Sequence, residues 1–455
     1  MNNKTSQKVT NPKKRGPITG TGQDLYTRAR KIIPGGTQLF SKRPELFLPD
    51  QWPAYYKKAH GVEVWDLDDR RYLDFTSCGI GTSVLGIGNP EINAAVAKAM
   101  DAGNMSTLNC PEEVELAELL IDLHPWADMV RYARTGGEIL SIAVRIARAA
   151  TGRDRIAFCG YHGWGDWYLA ANIFDDRSLD KHLLAGLSPA GVPAGLSKTA
   201  MPFHYNKIDE LRAIVKEAGP ELAAIVMEPR VNSQAPEPGF LEEVRDIADS
   251  CGAVLIFDDI TSGWRVNTGG IHLTLGVDPH MAVFAKTMSN GYPMSAVIGT
   301  RDVMQAAQDS FISSSYWTER IGPTAALATI RMHQRENVPE KLIHAGTLVQ
   351  KGWRDAAEPA GLAIRVFGIE PLSFFAIDAE DADALTTLFT QEMLARGFLA
   401  GGHFYATIAH TDDKIESYLD ATAEVFRELA SAVDAGDARE RLNGPVKHST
   451  FQRLD

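Results

Sequence analysis

The stretch that decides the fold spans residues 254–259 and reads VLIFDD, four apolar residues followed by two carboxylates. Three similar short apolar runs lie at residues 156–159, 224–227 and 282–285. Short continuous runs of this kind are typical of strands buried on both faces of a largely parallel sheet that helices cover. Between two of the runs, residues 240–251 have the apolar spacing of a helix that stops at Gly252. We therefore predict an α/β fold.

The two ends of the chain have a different pattern. Residues 62–75 alternate apolar and polar side chains around a turn at Asp68-Asp69, which predicts a hairpin. Residues 364–378 predict two strands about Gly368, and helical spacing follows near 382–396 and 414–434. The predicted units are a disordered tail at 1–20, an N-terminal part of a small α+β domain at 21–84, a large domain at 85–325 and the C-terminal part of the small domain at 326–455.

The composition narrows the class of protein and its location. The chain has 455 residues, 44% of them hydrophobic, and a formal net charge of -12, which argues against a general nucleic-acid surface. No apolar run approaches the roughly 20 residues of a membrane span, and the N-terminus lacks the apolar core of a secretory signal. The four cysteines lie far apart without a CxxC pair, which fits reduced thiols. We therefore expect a cytoplasmic enzyme-sized protein.

A lysine directly follows the apolar run at 282–285. Residues 284–291 read FAKTMSNG, so Lys286 stands at the end of a predicted buried strand. An unpaired ammonium there is costly, and burial or a nearby cation lowers the pKa of the amine, as Schiff-base chemistry requires. Taken by itself, the position is equally compatible with a surface lysine that reaches water.

The carboxylates Asp258 and Asp259 end the strand at 254–257. Open α/β sheets bind ligands at the carboxyl ends of their strands, and an aspartate there can keep the nitrogen of a pyridine ring protonated. A metal site is the competing interpretation, but adjacent side chains of a strand point to opposite faces, so we expect no metal. An N-cap for the next helix is the third interpretation.

A glycine-bearing turn at residues 135–138, TGGE, precedes a helical pattern. Such a turn exposes backbone N–H groups at the positive end of a helix dipole, which together bind phosphate. A plain turn and cap is an equally good interpretation. The sequence has no GxxxxGK[ST] element, which disfavours an ATP-type phosphate loop.

An aromatic cluster, CGYHGW at residues 159–164, comes just past a predicted strand. A planar aromatic side chain at the mouth of a sheet can stack on a heteroaromatic ring. Packing in the core is the usual alternative for such a cluster.

Taken in order, these motifs resemble the class III aminotransferases of pyridoxal-phosphate (PLP) fold type I, and among them the glutamate-1-semialdehyde 2,1-aminomutase branch. The resemblance runs from about Ile33 to Leu429. The matching segments are Ile33–Gly36, Tyr72–Phe75, Gly86–Pro90, Thr135–Glu138, Thr151–Arg153, Tyr161–Gly163, Met227–Pro229, Phe257–Arg265 and Phe284–Pro293. The resemblance implies an aspartate aminotransferase-like fold, with a mostly parallel seven-stranded sheet in the PLP-binding large domain.

The resemblance also implies roles for individual residues. Lys286 would hold PLP as a Schiff base and then carry the proton between substrate and cofactor. Asp258 would pair with the pyridinium nitrogen. Tyr161 would stack on one face of the ring, and Ile260 would pack on the other.

Further roles follow from the same resemblance. Thr135, Gly136 and Gly137 would bind the phosphate, where the family usually has Ser-Gly-Thr. Thr318 lies where the family supplies a phosphate ligand from the neighbouring subunit, which implies a homodimer with shared active sites. The remaining implied cofactor residues are His162, Glu228 and Asn232, the last near the ring hydroxyl.

Departures from the family bear on the substrate. Asp259 stands where the family usually has glutamate, and Ile139 where it has alanine. Lys42 stands where the aminomutase has an arginine for the substrate carboxylate. The segment at 313–323 is similar to aminotransferase-like proteins of surface-glycan and secondary-metabolite pathways. The candidate substrate residues are Gln38, Lys42, Arg43, Trp164 and Trp317.

These observations predict a transaminase that moves an amino group from an amino-acid donor to an aldehyde or ketone acceptor. The first alternative is an intramolecular aminomutase that uses the same residues. A PLP-binding scaffold without turnover is the second alternative, and it is disfavoured because Lys286, Asp258 and Tyr161 are all present.

Overall fold

The computed structural model describes residues 17–175, 177–180, 182, 185–231, 234–451 and 453–454. Its strands are β1 Tyr56–His60, β2 Glu63–Asp66, β3 Arg71–Phe75, β4 Met129–Ala133, β5 Arg155–Cys159, β6 Ala200–Pro202, β7 Leu222–Met227, β8 Val254–Asp258, β9 Met281–Phe284, β10 Ser295–Gly299, β11 Ile364–Ile369, β12 Leu372–Ile377, β13 Phe398–Ala400 and β14 His403–Tyr405. The predicted tail at 1–20 lies largely outside the described residues.

The α-helices alternate with the strands through the middle of the chain. They are α1 Thr21–Ile32, α2 Pro90–Asp101, α3 Glu112–Leu123, α4 Gly136–Thr151, α5 Asp166–Leu169, α6 Ala171–Phe174, α7 Ile208–Ala218, α8 Phe240–Cys251, α9 Arg301–Met304, α10 Ile321–Arg335, α11 Val338–Ala360, α12 Ala382–Ala395, α13 Asp412–Ala435 and α14 Ala438–Arg441. Within the described part of the chain, none of the helices combines the length and the apolar character that a membrane crossing demands.

The central sheet has seven strands in the order β4-β10-β9-β8-β7-β5-β6. Strand β10 is antiparallel to β4 and β9, and the other neighbours are parallel. The predicted mostly parallel seven-stranded sheet is therefore confirmed. Because parallel strands share the direction of their carboxyl ends, the residues that follow β5, β7, β8 and β9 meet at one edge of the sheet.

Helices cover both faces of this sheet. Along β5, β7 and β8, alternate side chains face opposite layers, as the strand period of two requires. One layer holds Ile156, Val226 and Ile256 against α4, and the other holds Ala157, Ile225 and Leu255 against α7 and α8. The near-continuous apolar runs in the sequence thus reflect burial on two sides.

Two smaller sheets use both chain ends. One has the order β1-β2-β3-β13, and the other has the order β11-β12-β14. Phe75 of β3 stacks on Tyr418 of α13 with ring centroids 4.2 Å apart, in a core that α11, α12 and α13 share. This shared core supports a small domain built from residues 21–84 and 326–455, a division that stays a prediction.

The two predicted hairpins differ in how well their turns were located. Strands β2 and β3 pair antiparallel across the turn at Asp68-Asp69, which confirms the first. Strands β11 and β12 also pair antiparallel, but the chain turns after Ile369, and Gly368 pairs with Ser373 inside the ladder. The expected turn at Gly368 is wrong. That glycine has φ +97°, and a Cβ there would lie 2.2 Å from the Leu372 carbonyl oxygen, so close backbone approach explains it.

Candidate active site

Lys286 lies where β9 ends, as the first residue of a short 3-10 helix, Lys286–Ser289. Its φ is +45°, an uncommon and strained value for a residue with a Cβ. Its Nζ donates to the Thr261 hydroxyl at 2.7 Å. Burial of the amine, with the Arg265 cation nearby, lowers the pKa of Lys286 to about 8. A substantial fraction of the amine is therefore neutral near pH 7.5 and can act as a nucleophile.

Arg265 is the nearby cation, and its side chain is fully buried. Its Nε donates to the Thr261 carbonyl at 3.1 Å and its Nη2 donates to the Gly81 carbonyl at 2.6 Å. Among the described residues it forms no ion pair with a carboxylate, and burial lowers its pKa to about 10. A positive charge is thus held beside Lys286 without local neutralisation.

A strained loop touches this arginine. Four consecutive residues, Cys78, Gly79, Ile80 and Gly81, have φ between +41° and +77°. A β-branched residue at positive φ is a genuine outlier, and such strain clusters at functional sites. A Cβ on Gly81 would lie 2.6 Å from Arg265 Nη2, so the loop and the arginine fit each other closely.

Asp258, at the end of β8, is buried against His162. Its Oδ2 lies 2.8 Å from His162 Nδ1, and His162 Nε2 lies 3.0 Å from the Cys159 carbonyl oxygen. Because a carbonyl only accepts, the Nε2 atom carries a proton. A hydrogen bond between Nδ1 and Asp258 therefore needs one further proton, held on either partner. His162 fixes the orientation of the Asp258 carboxyl group.

Glu228 follows β7 and brings a second carboxyl group to this edge. Burial, reinforced by the negative charge of Asp258, raises the pKa of Glu228 to about 7. A Cβ on Gly160 would lie 2.7 Å from Glu228 Oε2, so only a glycine allows this approach. The site thus contains a carboxyl group that titrates near neutral pH.

The turn before α4 is a capping box. The Thr135 hydroxyl accepts from the Glu138 N–H at 3.4 Å, and the Glu138 carboxylate accepts from the Thr135 N–H at 3.0 Å. Among the described residues, the N–H groups of Gly136 and Gly137 have no acceptor. A Cβ on Gly136 would lie 3.2 Å from the side chain of Ile260, which brings Ile260 to the same turn. The TGGE turn is thus a cap that leaves two donors open, and its binding of phosphate stays a prediction.

The aromatic cluster past β5 lies at this edge of the sheet. The Tyr161 ring packs edge-on against Tyr168, with centroids 5.9 Å apart, and 38% of the residue is exposed. Trp164 is 71% exposed, and its indole lies against Gly137. Neither ring packs in the core.

The structure separates the candidate substrate residues. Lys42 lines a cavity of about 530 Å³ whose walls include Ile80 of the strained loop and Gly291 of the segment after Lys286. The Arg43 guanidinium instead packs between the rings of Phe40 and Phe451, 5.1 and 5.7 Å from their centroids. Of the two residues, Lys42 lines this cavity and Arg43 does not.

The other predicted residues lie nearer the surface. Gln38 and Thr318 are exposed, and the Thr318 hydroxyl donates to the Ser315 carbonyl at 2.9 Å. Trp317 is partly buried, and its carbonyl accepts from Arg134, the residue before Thr135, at 3.0 Å. Asn232 lies outside the described residues.

Sequence reasoning missed Thr261, Arg265 and the loop at 78–81. The first two lie three and seven residues after Asp258, inside the quoted segment Phe257–Arg265. The alternating glycines of the loop, at 79 and 81, were the available signal for its backbone conformation.

The chain matches the family model described as aminotransferase class-III over residues 49–421, and it belongs to that family. The 3-aminobutyryl-CoA aminotransferase of Cloacimonas acidaminovorans (strain Evry) is 29% identical over 89% of this chain and 96% of its own length. The 2'-deamino-2'-hydroxyneamine transaminase of Streptomyces kanamyceticus is 30% identical over 83% of this chain and 93% of its own.

Solved structures agree with the family assignment. The PLP internal aldimine form of the FumI protein from Sphingopyxis sp. MTA144 superposes with a TM-score of 0.82 at 27% identity, over 91% of this chain and 98% of that one. A glutamate-1-semialdehyde aminomutase from Pseudomonas aeruginosa PAO1 shares the fold, with a TM-score of 0.77 at 18% identity over 90% and 95% of the two chains. The predicted family and fold type are therefore confirmed.

Proposed function

We propose that this class III aminotransferase uses PLP, bound at Lys286, to move an amino group from an amino-acid donor to an aldehyde or ketone acceptor. The observation that carries the proposal is Lys286 itself. Its backbone has a strained positive φ, and its partly buried amine has a pKa lowered to about 8. The amine adjoins Asp258 and an arginine, Arg265, that forms no ion pair with a carboxylate among the described residues. A lysine with only a structural role has no need of a neutral amine.

The described residues fit PLP. The open N–H groups of Gly136 and Gly137 suit its phosphate, and Asp258, oriented by His162, suits its pyridinium nitrogen. Tyr161 and Ile260 provide flat and apolar surfaces for the ring. When bound, PLP supplies the aldehyde that takes up the amino group and a ring that stabilises the electron pair left on the substrate carbon.

The protein's own groups perform the proton movements. Lys286 Nζ, whose lowered pKa makes the neutral amine accessible near neutral pH, takes a proton from one carbon and returns it to another. The Thr261 hydroxyl accepts a hydrogen bond from this amine when the amine has no other partner. Arg265 disfavours its protonation by charge repulsion, and Glu228 can hold a proton near the Asp258 carboxyl group.

The proposal includes a homodimer with shared active sites, in which Thr318 of the partner subunit reaches the phosphate. Exposed aromatic residues next to Thr318 support an interface there: Phe311 is 89% exposed and Tyr316 is 73% exposed. A cytoplasmic location is part of the same proposal, as are small-molecule substrates. The Streptomyces relative, by its name a 2'-deamino-2'-hydroxyneamine transaminase, supports a small-molecule acceptor.

The test compares Lys286→Ala with Lys58→Ala, a lysine of β1 in the four-stranded sheet, whose amine lies over Trp65. We expect borohydride to fix PLP on Lys286 in the wild type and in Lys58→Ala, as peptide mass spectrometry reads directly. Lys286→Ala should lose both the fixed cofactor and transamination. Full transamination by Lys286→Ala would overturn the proposal.

A donor screen distinguishes the aminomutase alternative, which the position of Lys42 in the cavity supports. A transaminase changes the absorbance of bound PLP only with a suitable amine donor and releases a keto product. An aminomutase isomerises one amino-aldehyde without a separate donor. Release of a keto acid in proportion to product would exclude the aminomutase.

A further inference from the structure

Trp164 has an unusual environment for the largest apolar side chain. Its residue is 71% exposed, although tryptophan is highly buried on average. Among the described residues, its indole N–H has no acceptor, and its ring has no aromatic partner. The indole N–H can therefore donate to a ligand that reaches this part of the surface.

The indole lies against the first turn of α4. A Cβ on Gly137 would be 2.7 Å from Trp164 Nε1, closer than real Cβ atoms approach, and 3.1 Å from Cδ1. A Cβ on Gly163, which has φ +91°, would be 3.5 Å from the Gly137 Cα, so the two backbones also approach closely. Gly137 has no positive φ. A glycine is therefore needed at position 137 to make room for the indole, and not to allow a positive φ.

The indole N–H thus lies beside two other open donors, the N–H groups of Gly136 and Gly137. Three N–H donors at the positive end of a helix form a site for an anion with several oxygens. We propose that Trp164 donates its Nε1–H to the cofactor phosphate, occupying the space that a side chain at position 137 would fill. This inference rests on the proposed function and assigns Trp164 to the phosphate rather than to the substrate.

The primary experiment measures dissociation constants of PLP and of pyridoxal, which lacks the phosphate, for the apoprotein. Trp164→Phe keeps an aromatic ring and removes the N–H donor. We expect it to raise the dissociation constant of PLP about tenfold, the value of one hydrogen bond to a charged group. The dissociation constant of pyridoxal should stay unchanged. Trp65→Phe in β2 is the matched control and should change neither constant.

A double variant tests whether the indole occupies the space of a side chain at position 137. Gly137→Ser alone should weaken PLP binding, because the serine side chain displaces the indole. Trp164→Ala should also weaken PLP binding. The double variant Gly137→Ser/Trp164→Ala should recover part of the lost affinity, since the serine hydroxyl then has space beside the phosphate. Additive losses in the double variant would contradict the shared-space proposal.

The failure of this inference can be distinguished from failure of the proposed function. Calorimetric binding of PLP to Lys286→Ala and to Lys286→Ala/Trp164→Phe measures the phosphate contact without the covalent bond. Equal affinities in those two proteins, or an equal loss for PLP and pyridoxal in Trp164→Phe, would overturn the role of Trp164. Loss of PLP but not pyridoxal affinity supports it, whatever the substrate.

Discussion

Asp258 and Asp259 are consecutive, both are buried, and each lies against a histidine, yet they belong to different environments. Asp259 contacts His272 Nδ1 at 2.6 Å, and His272 Nε2 accepts from Trp126 Nε1 at 3.0 Å. That chain is complete with a neutral imidazole, because each nitrogen has one role. The Asp258–His162 pair needs an additional proton and adjoins an amine, a carboxyl group and a cation of shifted pKa.

Under the proposed function, the Asp259–His272 pair is structural and the Asp258–His162 pair is functional. Asp259 also accepts from the Ser262 hydroxyl and the Ile271 N–H, at 3.0 and 3.1 Å, so it holds the segment after β8 in place. Groups whose hydrogen bonds are all satisfied within the protein have little left for a ligand.

The largest effect should follow from Asp258→Asn. Replacing the charge that we propose for the pyridinium nitrogen should lower kcat by roughly 10²–10³-fold, the usual cost of removing one preorganised electrostatic group. The free energy of unfolding of the apoprotein should change far less. Steady-state kinetics measure kcat, and chemical denaturation measures the free energy of unfolding. A variant that loses stability but keeps its kcat would show that Asp258 is the structural aspartate.

Asp259→Ala should have the opposite profile. It leaves His272, the Ser262 hydroxyl and the Ile271 N–H without their acceptor, so we expect a loss of about 3 kcal/mol in the free energy of unfolding. The folded fraction should keep kcat within about tenfold of the wild type. Retained stability together with lost activity would show that Asp259 belongs to the site.

Arg265→Met tests the cation beside Lys286. Without that charge the pKa of Lys286 should rise from about 8, so less neutral amine is present at pH 7. The wild-type apoprotein should take up PLP faster as the pH rises and reach a plateau above about 8. In the variant the midpoint should move upward by about one pH unit, while Arg265→Lys should stay closer to the wild type.

Glu228→Gln should have the smallest effect. A carboxyl group whose folded pKa is raised from 4.5 to about 7 favours the fold at low pH, and this contribution is lost as the pH rises through that window. We expect the apoprotein to lose about 1 kcal/mol more stability between pH 5.5 and 6.5 than the variant does. If the free energies of unfolding of the two proteins changed in parallel with pH, the raised pKa of Glu228 would be contradicted.

Much of the fold could be predicted because its signals are local. The helix at 240–251 has the predicted bounds, and the runs at 156–159, 224–227, 254–257 and 282–285 are strands of the central sheet. A buried strand needs a continuous apolar run wherever it lies. The turn near Gly368 was misplaced by about two residues, because a glycine can serve a close backbone approach inside a hairpin as well as a turn.

The candidate site was most predictable where a residue lies at or just after the end of a strand. Asp258 is the last residue of β8, and Lys286 stands two residues after the end of β9. Arg265 is the clearest contrast, since its environment depends on Gly81, 184 residues away in the chain. Arg43 was expected near the substrate, but the structure packs it on Phe451, far along the sequence.

The sequence by itself determined the class of protein, because its motifs, taken in order, resemble those of the class III aminotransferases. Periodicity determined the buried strands and the helix at 240–251, because these patterns lie in consecutive residues. Only the tertiary structure decided which histidine each aspartate contacts, which cation lowers the pKa of Lys286 and why residue 137 has no side chain. Each of those depends on contacts between residues distant in the chain, which packing alone brings together.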